Sequence, residues 1–132
     1  MSTSPCEEIV ALHDFFHAWF RGEIPPESFQ ELNAALTDEF WIVPPSGRPL
    51  ERSALLQLLE GERGARPNLK ISVDRCQVVI EEGDLCAVQY EEWHEDERRK
   101  GRASLALLVR SDAGPRGWQW RYVQETWLPQ PV

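Results

Sequence analysis

The stretch Trp118-Gln119-Trp120-Arg121-Tyr122-Val123-Gln124-Glu125-Thr126-Trp127 decides how the rest of the chain is read. It holds three of the six tryptophans, and Glu125 stands among them. Side chains alternate along an extended chain, so Val123, Glu125 and Trp127 share one face, and Trp118, Trp120 and Tyr122 the other. A surface strand has no need of that much aromatic area, and a dry core disfavours a carboxylate. Rings on both faces with one embedded acid predict a strand buried on one side and lining a pocket on the other.

Working back from this strand, period-two patterning reaches to Pro67. Leu69, Ile71, Val73 and Val78-Val79-Ile80 read as one strand, followed by a tight turn at Glu82-Gly83. Leu85 to His94 reads as the next strand and Ala103 to Arg110 as the third, with loops at 96–100 and 111–117. Upstream the period becomes helical. Ile9, Leu12, Phe16, Trp19 and Phe20 mark a first helix that stops at Gly22. Pro25-Pro26-Glu27 starts a second, with Phe29, Leu32, Ala35 and Leu36 inward. Phe40 to Val43 is a short strand closed by Pro44-Pro45-Ser46-Gly47, and a third helix spans about residues 51–60 with Leu55, Leu56, Leu58 and Leu59. Helices followed by a long antiparallel meander predict one α+β domain over residues 1–132, with the helices on one face of a curled sheet and a cavity at its open end.

Composition bounds the function. A chain of 132 residues, 42% apolar and 27% charged, is long enough for one core. No apolar run approaches the roughly 20 residues of a membrane helix. Met1 to Glu8 lacks the basic and apolar regions of a signal peptide, so a cytoplasmic protein is expected. Cys6, Cys76 and Cys86 are odd in number and lack metal-ligand spacing, which reads as reduced thiols. With residues 81 and 84 flanking the hairpin turn, Cys86 lies opposite Val79 and Cys76 opposite Gln89, roughly 10 Å apart and too far to bond. The net charge of -8, from 22 acids and 14 bases, argues against nucleic acid as a partner. The one basic run, Arg98-Arg99-Lys100-Gly101-Arg102, follows Glu95-Asp96-Glu97 and reads as a solvated hairpin tip.

The order of elements, with Trp19-Phe20-Arg21-Gly22, Leu36-Thr37-Asp38-Glu39-Phe40, Val43-Pro44-Pro45-Ser46-Gly47-Arg48, Arg63-Gly64-Ala65-Arg66-Pro67, Tyr90-Glu91-Glu92-Trp93 and Glu125-Thr126-Trp127-Leu128-Pro129, resembles the nuclear transport factor 2-like (NTF2-like, SnoaL-like) superfamily. Within it the chain looks most like the DUF4440-type bacterial group. The resemblance implies a cone-shaped fold and a homodimer paired through the outer face of the sheet. Trp118, Trp120 and Tyr122 are the outward residues offered for that interface. Relatives often carry a histidine where this chain has Gln124. The places that serve steroid isomerisation in this superfamily correspond to Pro44, Phe15 and Leu107, none of which moves a proton or donates to an oxyanion.

The polar residues left for the inner face are Tyr90, Glu92 and His94 on one strand and Glu125 on the last; a single bulge would exchange Glu91 for Glu92. The rest of the expected pocket wall is Phe15, Trp19, Trp41, Val88, Leu107, Val123 and Trp127. Two carboxylates in one apolar cavity are split in pKa, one of them staying protonated. The blander alternative leaves Glu92 solvated at a strand end and Glu125 bonded to Arg121, Tyr122 or a loop amide. His13 and His17, four apart around Asp14, have a spacing that can supply two zinc ligands, but the glutamate of His-Glu-x-x-His and a third ligand are lacking. Both read as half-exposed boundary residues, and neither a metal nor a cofactor is expected. Ser46-Gly47 is a turn without the context of a nucleophile elbow.

Three functions stay open. One is a binder of a small, largely apolar molecule with an acidic anchor. Another is a cofactor-independent hydrolase, dehydratase or cyclase using Glu92 and Glu125 with Tyr90 or His94. The last is an interaction module whose cone is filled by its own side chains. A closed cavity favours the module, an open one with two carboxylates within about 5–9 Å of each other the enzyme, and an open one with a lone acid the binder.

Overall fold

The computed structural model describes residues 3–130, so residues 1–2 and 131–132 of the expected domain lie outside the described residues. Helix α1 (Pro5–Arg21) is opened by a capping box: the Glu7 amide donates to Ser4 Oγ, and the Ser4 amide donates to Glu7 Oε1 at 2.9 Å. Gly22, at φ 73°, closes it in the left-handed conformation that a side chain would strain. The second helix begins with one 3₁₀ turn at Pro26–Ser28 and continues as α2 (Phe29–Ala35). Strand β1 (Leu36–Val43) starts earlier than its hydrophobic signal, and a two-residue strand β2 (Leu50–Glu51), invisible to periodicity, precedes α3 (Arg52–Glu60).

Four long strands follow: β3 (Lys70–Glu82), β4 (Leu85–Glu95), β5 (Arg99–Arg110) and β6 (Trp118–Trp127). They form one mixed sheet in the order β2-β1-β6-β5-β4-β3, with β1 parallel to β6 and every other pair antiparallel. The β3–β4 turn is Gly83-Asp84, one residue later than expected, so Cys86 faces Glu81 rather than Val79. All three cysteines are free thiols.

In the antiparallel pairs, bulges break the ladder at three places. Arg75 and Cys76 together oppose Tyr90, with Arg75 at φ 52°; Val79 has no partner between Val78 and Ile80; and Arg121 is the extra residue between Trp120 and Tyr122. Each adds bend and twist, which curls the sheet around the helices. The core between them includes Ile9, Leu12, Leu32, Val88, Leu108 and Trp118.

The Arg121 bulge overturns a face assignment. Trp118 and Trp120, expected outward, are 1% and 2% exposed on the inner face, although Val123 and Glu125 also point inward. Alternation carries through a regular strand only, and one extra residue reverses it. A buried ion pair accompanies the inward tryptophans. Fully buried Glu8 accepts from Arg116 Nε at 2.8 Å and Nη2 at 3.1 Å, and from Trp120 Nε1 at 2.9 Å.

Candidate functional site

The cone encloses a cavity of about 290 Å³ that opens to solvent. Leu12 and Phe16 from α1, Phe40 and Ile42 from β1, and Leu55 and Leu59 from α3 supply its apolar walls. Its polar end is built by β4, β5 and β6, with one residue from α1. In the sheet register Glu92 faces Arg102 and Tyr90 faces Ser104, which in turn faces Glu125. Cross-strand and diagonal neighbours of this kind come within reach of long side chains. Arg102 therefore lies between the two carboxylates, and its Nη1 donates to Glu125 Oε1 at 3.1 Å.

Glu92 is held from both sides. Nε2 of His13 is 3.0 Å from Oε1, and Nε2 of His94 is 2.6 Å from Oε2. The other ring nitrogen of His13 lies 2.7 Å from the Ile9 carbonyl, which can only accept, so Nδ1 carries a proton. Burial opposes charge on both partners, yet each outweighs it in the other. The Glu92 carboxylate holds the His13 pKa above its ordinary value, and His13, His94 and Arg102 hold Glu92 well below the usual carboxylate range. Both shifts favour an imidazolium–carboxylate pair.

Glu125 has the opposite poise. Burial first, then the charge of Glu92, push its pKa up to about 7 against the pull of Arg102. Burial, with Glu92 and Glu125 adding to it, raises Tyr90 well above its usual value and keeps the phenol neutral. The site thus joins a fixed carboxylate to one that gains or loses a proton near neutrality, at the end of an apolar cavity.

The structure brings together Tyr90, Glu92, His94, Val123 and Glu125 on the cavity lining. Glu91 takes the outer face, where it accepts from Trp93 Nε1 at 3.2 Å. The other expected wall residues lie elsewhere. Phe15 and Trp19 stack on one another in the core, with ring centroids 5.8 Å apart, and Val88 is wholly buried there. Leu107 alternates with inward Ala106 and Leu108 and is half-buried. Trp41 is 43% exposed because its neighbours Phe40 and Ile42 take the inward positions, and Trp127 is 45% exposed because it lies beyond the cavity's polar end. Of the places compared with the steroid isomerases, only Pro44 lines the cavity.

Two functional candidates escaped the sequence reading. His13 was placed with His17 at the edge of the stripe; His17 is half-exposed and accepts from the Ile71 amide, whereas His13 is 4% exposed. The signal lay in its spacing of four from Ile9, which aligns it with the apolar stripe. Arg102 was read as part of a solvated tip, although it shares parity with inward Ser104 and Ala106. Glu125 bonds to Arg102, not to Arg121, Tyr122 or a loop amide.

A curled mixed sheet wrapped around three helices and open at one end defines this as an NTF2-like protein. A 30% identical NTF2-like protein of unknown function from Pseudomonas aeruginosa superposes with a TM-score of 0.87, over 94% of this chain and 98% of that one. The chain belongs to the family described as sucrose-6-phosphate phosphohydrolase C-terminal, whose model matches residues 5–129. The finer likeness to the DUF4440-type group stays a resemblance. At the level of fold alone the chain is similar to the CaMKII hub of S. rosetta, with 14% identity and a TM-score of 0.70 over 97% of this chain and 100% of that one. It is likewise similar to a putative ketosteroid isomerase from Parabacteroides distasonis, with 13% identity and a TM-score of 0.65 over 95% and 89% of the two chains. No curated protein matches the sequence.

Proposed function

We propose that the cone is a pocket for a small, largely apolar molecule whose single polar end sits at the Glu92, Arg102 and Glu125 end of the cavity. One observation carries this: an apolar cavity of about 290 Å³ ends on two buried carboxylates, each with its own cationic partner. Ligand sites have this composition, apolar walls with a few convergent polar groups, and this volume stands near the lower limit of their range. An interaction module filled by its own side chains has no use for such a cavity. The test is thermal shift and tryptophan fluorescence of the intact protein against a panel of small metabolites. A compound that raises the melting temperature of the wild type, by an amount that changes in Glu125→Gln, supports the pocket; a panel without a single shift counts against it.

A second reading, proton transfer in a hydrolysis, dehydration or cyclisation, is favoured by Glu125 at about 7 beside an ionised Glu92. A group titrating near the working pH serves as both acid and base. Turnover of any compound found to bind, abolished in Glu125→Gln with binding retained, would support it.

Pairing with a second copy belongs to the same proposal. Ile80, Leu85 and Leu105 are exposed on the outer face of β3, β4 and β5, an apolar surface that a second copy would cover. Among the described residues no helix is long and apolar enough to cross a membrane. A cytoplasmic setting is proposed from the three free thiols.

A further inference from the structure

At the polar end the cavity meets a second hollow of about 330 Å³, and the two share His94 and Arg102 in their walls. The charge of this outer hollow runs against the chain as a whole. Arg66, Arg98, Lys100 and Arg102 line it, against Asp96 and Glu97, in a protein of net charge -8. Arg66 is spent on Asp96, with which it forms an ion pair. Lys100 pairs with no carboxylate among the described residues; its ammonium lies over the Trp127 ring at 5.3 Å, and the Arg102 guanidinium lies over the same ring at 4.9 Å. Two cations on one exposed tryptophan, one of them reaching into the apolar cavity, form a cradle for a negative group.

We propose that the pocket takes an amphipathic monoanion, its apolar body in the cone and its carboxylate at the mouth between Lys100 and Arg102 beside Trp127. This rests on the reading of the cone as a ligand pocket and adds the charge of what enters it. A carboxylate reaching Arg102 competes with Glu125 for the guanidinium. Glu125 is the partner most easily displaced, since burial and Glu92 already favour its protonated form, whereas Glu92 stays held by His13 and His94. The acids Asp96 and Glu97 at the rim disfavour a second negative charge, so a carboxylate suits the mouth better than a dianionic phosphate.

The test compares decanoate, decanol and decylamine by calorimetric titration of the intact protein. Decanoate should bind about tenfold tighter than decanol, and decylamine weakest of the three. The preference should fade at high salt. Lys100 is exposed, and Lys100→Gln should cut decanoate affinity about threefold while leaving decanol unchanged. Decanol equal to decanoate, decylamine tighter than either, or a Lys100→Gln effect shared by all three overturns the anionic head and leaves the pocket standing. No binding by any of the three overturns both.

Discussion

Nε2 of His13 sits 3.0 Å from Oε1 of Glu92, joining helix α1 to strand β4 across 79 residues of sequence. Both groups are buried, so the charges they carry are sustained by one another. Glu92→Ala should therefore cost about 3 kcal/mol, while Glu92→Gln, whose amide can still donate to a neutral His13, should cost about 1 kcal/mol. Urea unfolding at neutral pH separates the two. Equal losses would mean that the charge pairing contributes nothing beyond the hydrogen bond.

The same pair sets an acid-side limit on stability. Glu92 is depressed in the fold, so its stabilisation is present above the ordinary glutamate range and lost as pH falls through its folded pKa. His13 is raised, so its share is present below the ordinary histidine value and lost as pH rises through the raised one. The pair is strongest between those limits. His13→Gln should flatten both edges of the melting temperature against pH, and an unchanged profile would refute the imidazolium.

Glu125 acts in the opposite sense. Its folded pKa of about 7 lies above the ordinary glutamate value of 4.5, so the folded state holds the proton more tightly and stability falls as pH rises between those values. The full change is about 3 kcal/mol, since each pKa unit is worth about 1.4 kcal/mol. Glu125→Gln, fixed in the neutral form, should lack this decline and gain on the wild type above pH 7. Calorimetric melting of the two proteins at pH 5 and pH 8 checks the crossover; parallel melting would place the proton elsewhere.

How far the site was legible follows from the range of the signals. Helical spacing and period-two runs are local, and they placed α1, α3 and the four long strands. The face of β6 was misread beyond Arg121 because a bulge leaves no mark in hydropathy, and the same residue brings two tryptophans and Glu125 to one side. Glu92 and Glu125 could be paired from alternation alone. Their partners could not, because His13 reaches Glu92 only through the docking of α1 on the sheet, and Arg102 looked like one more charge in a charged run. Glu8 was passed over for the same reason, its partner lying 108 residues away.

That distant pair makes its own prediction. Arg116 donates two hydrogen bonds to Glu8 and one to Glu31, tying the β5–β6 loop to α1 and α2. Glu8 is fully buried, so Arg116→Met strands its charge with, among the described residues, only the Trp120 indole as side-chain donor. The loss should be about 3–5 kcal/mol by urea unfolding, against less than about 1 kcal/mol for an exposed pair such as Arg99 with Glu95. The double variant Arg116→Met with Glu8→Gln should recover part of it, since the stranded charge is gone.

The outer sheet face gives the last test. Ile80 is 58% exposed and Leu105 37%, on β3 and β5 with β4 between them, and Leu85 adds to the same apolar surface. If a second copy covers this face, a charge there is buried against apolar area and the association weakens by several kcal/mol. If water covers it, the same charge costs less than about 0.5 kcal/mol. Leu105→Glu should thus turn a dimer into a monomer in sedimentation equilibrium and leave the fold of the separated chain intact. A wild type that sediments as a monomer at high concentration would remove the homodimer from the proposal.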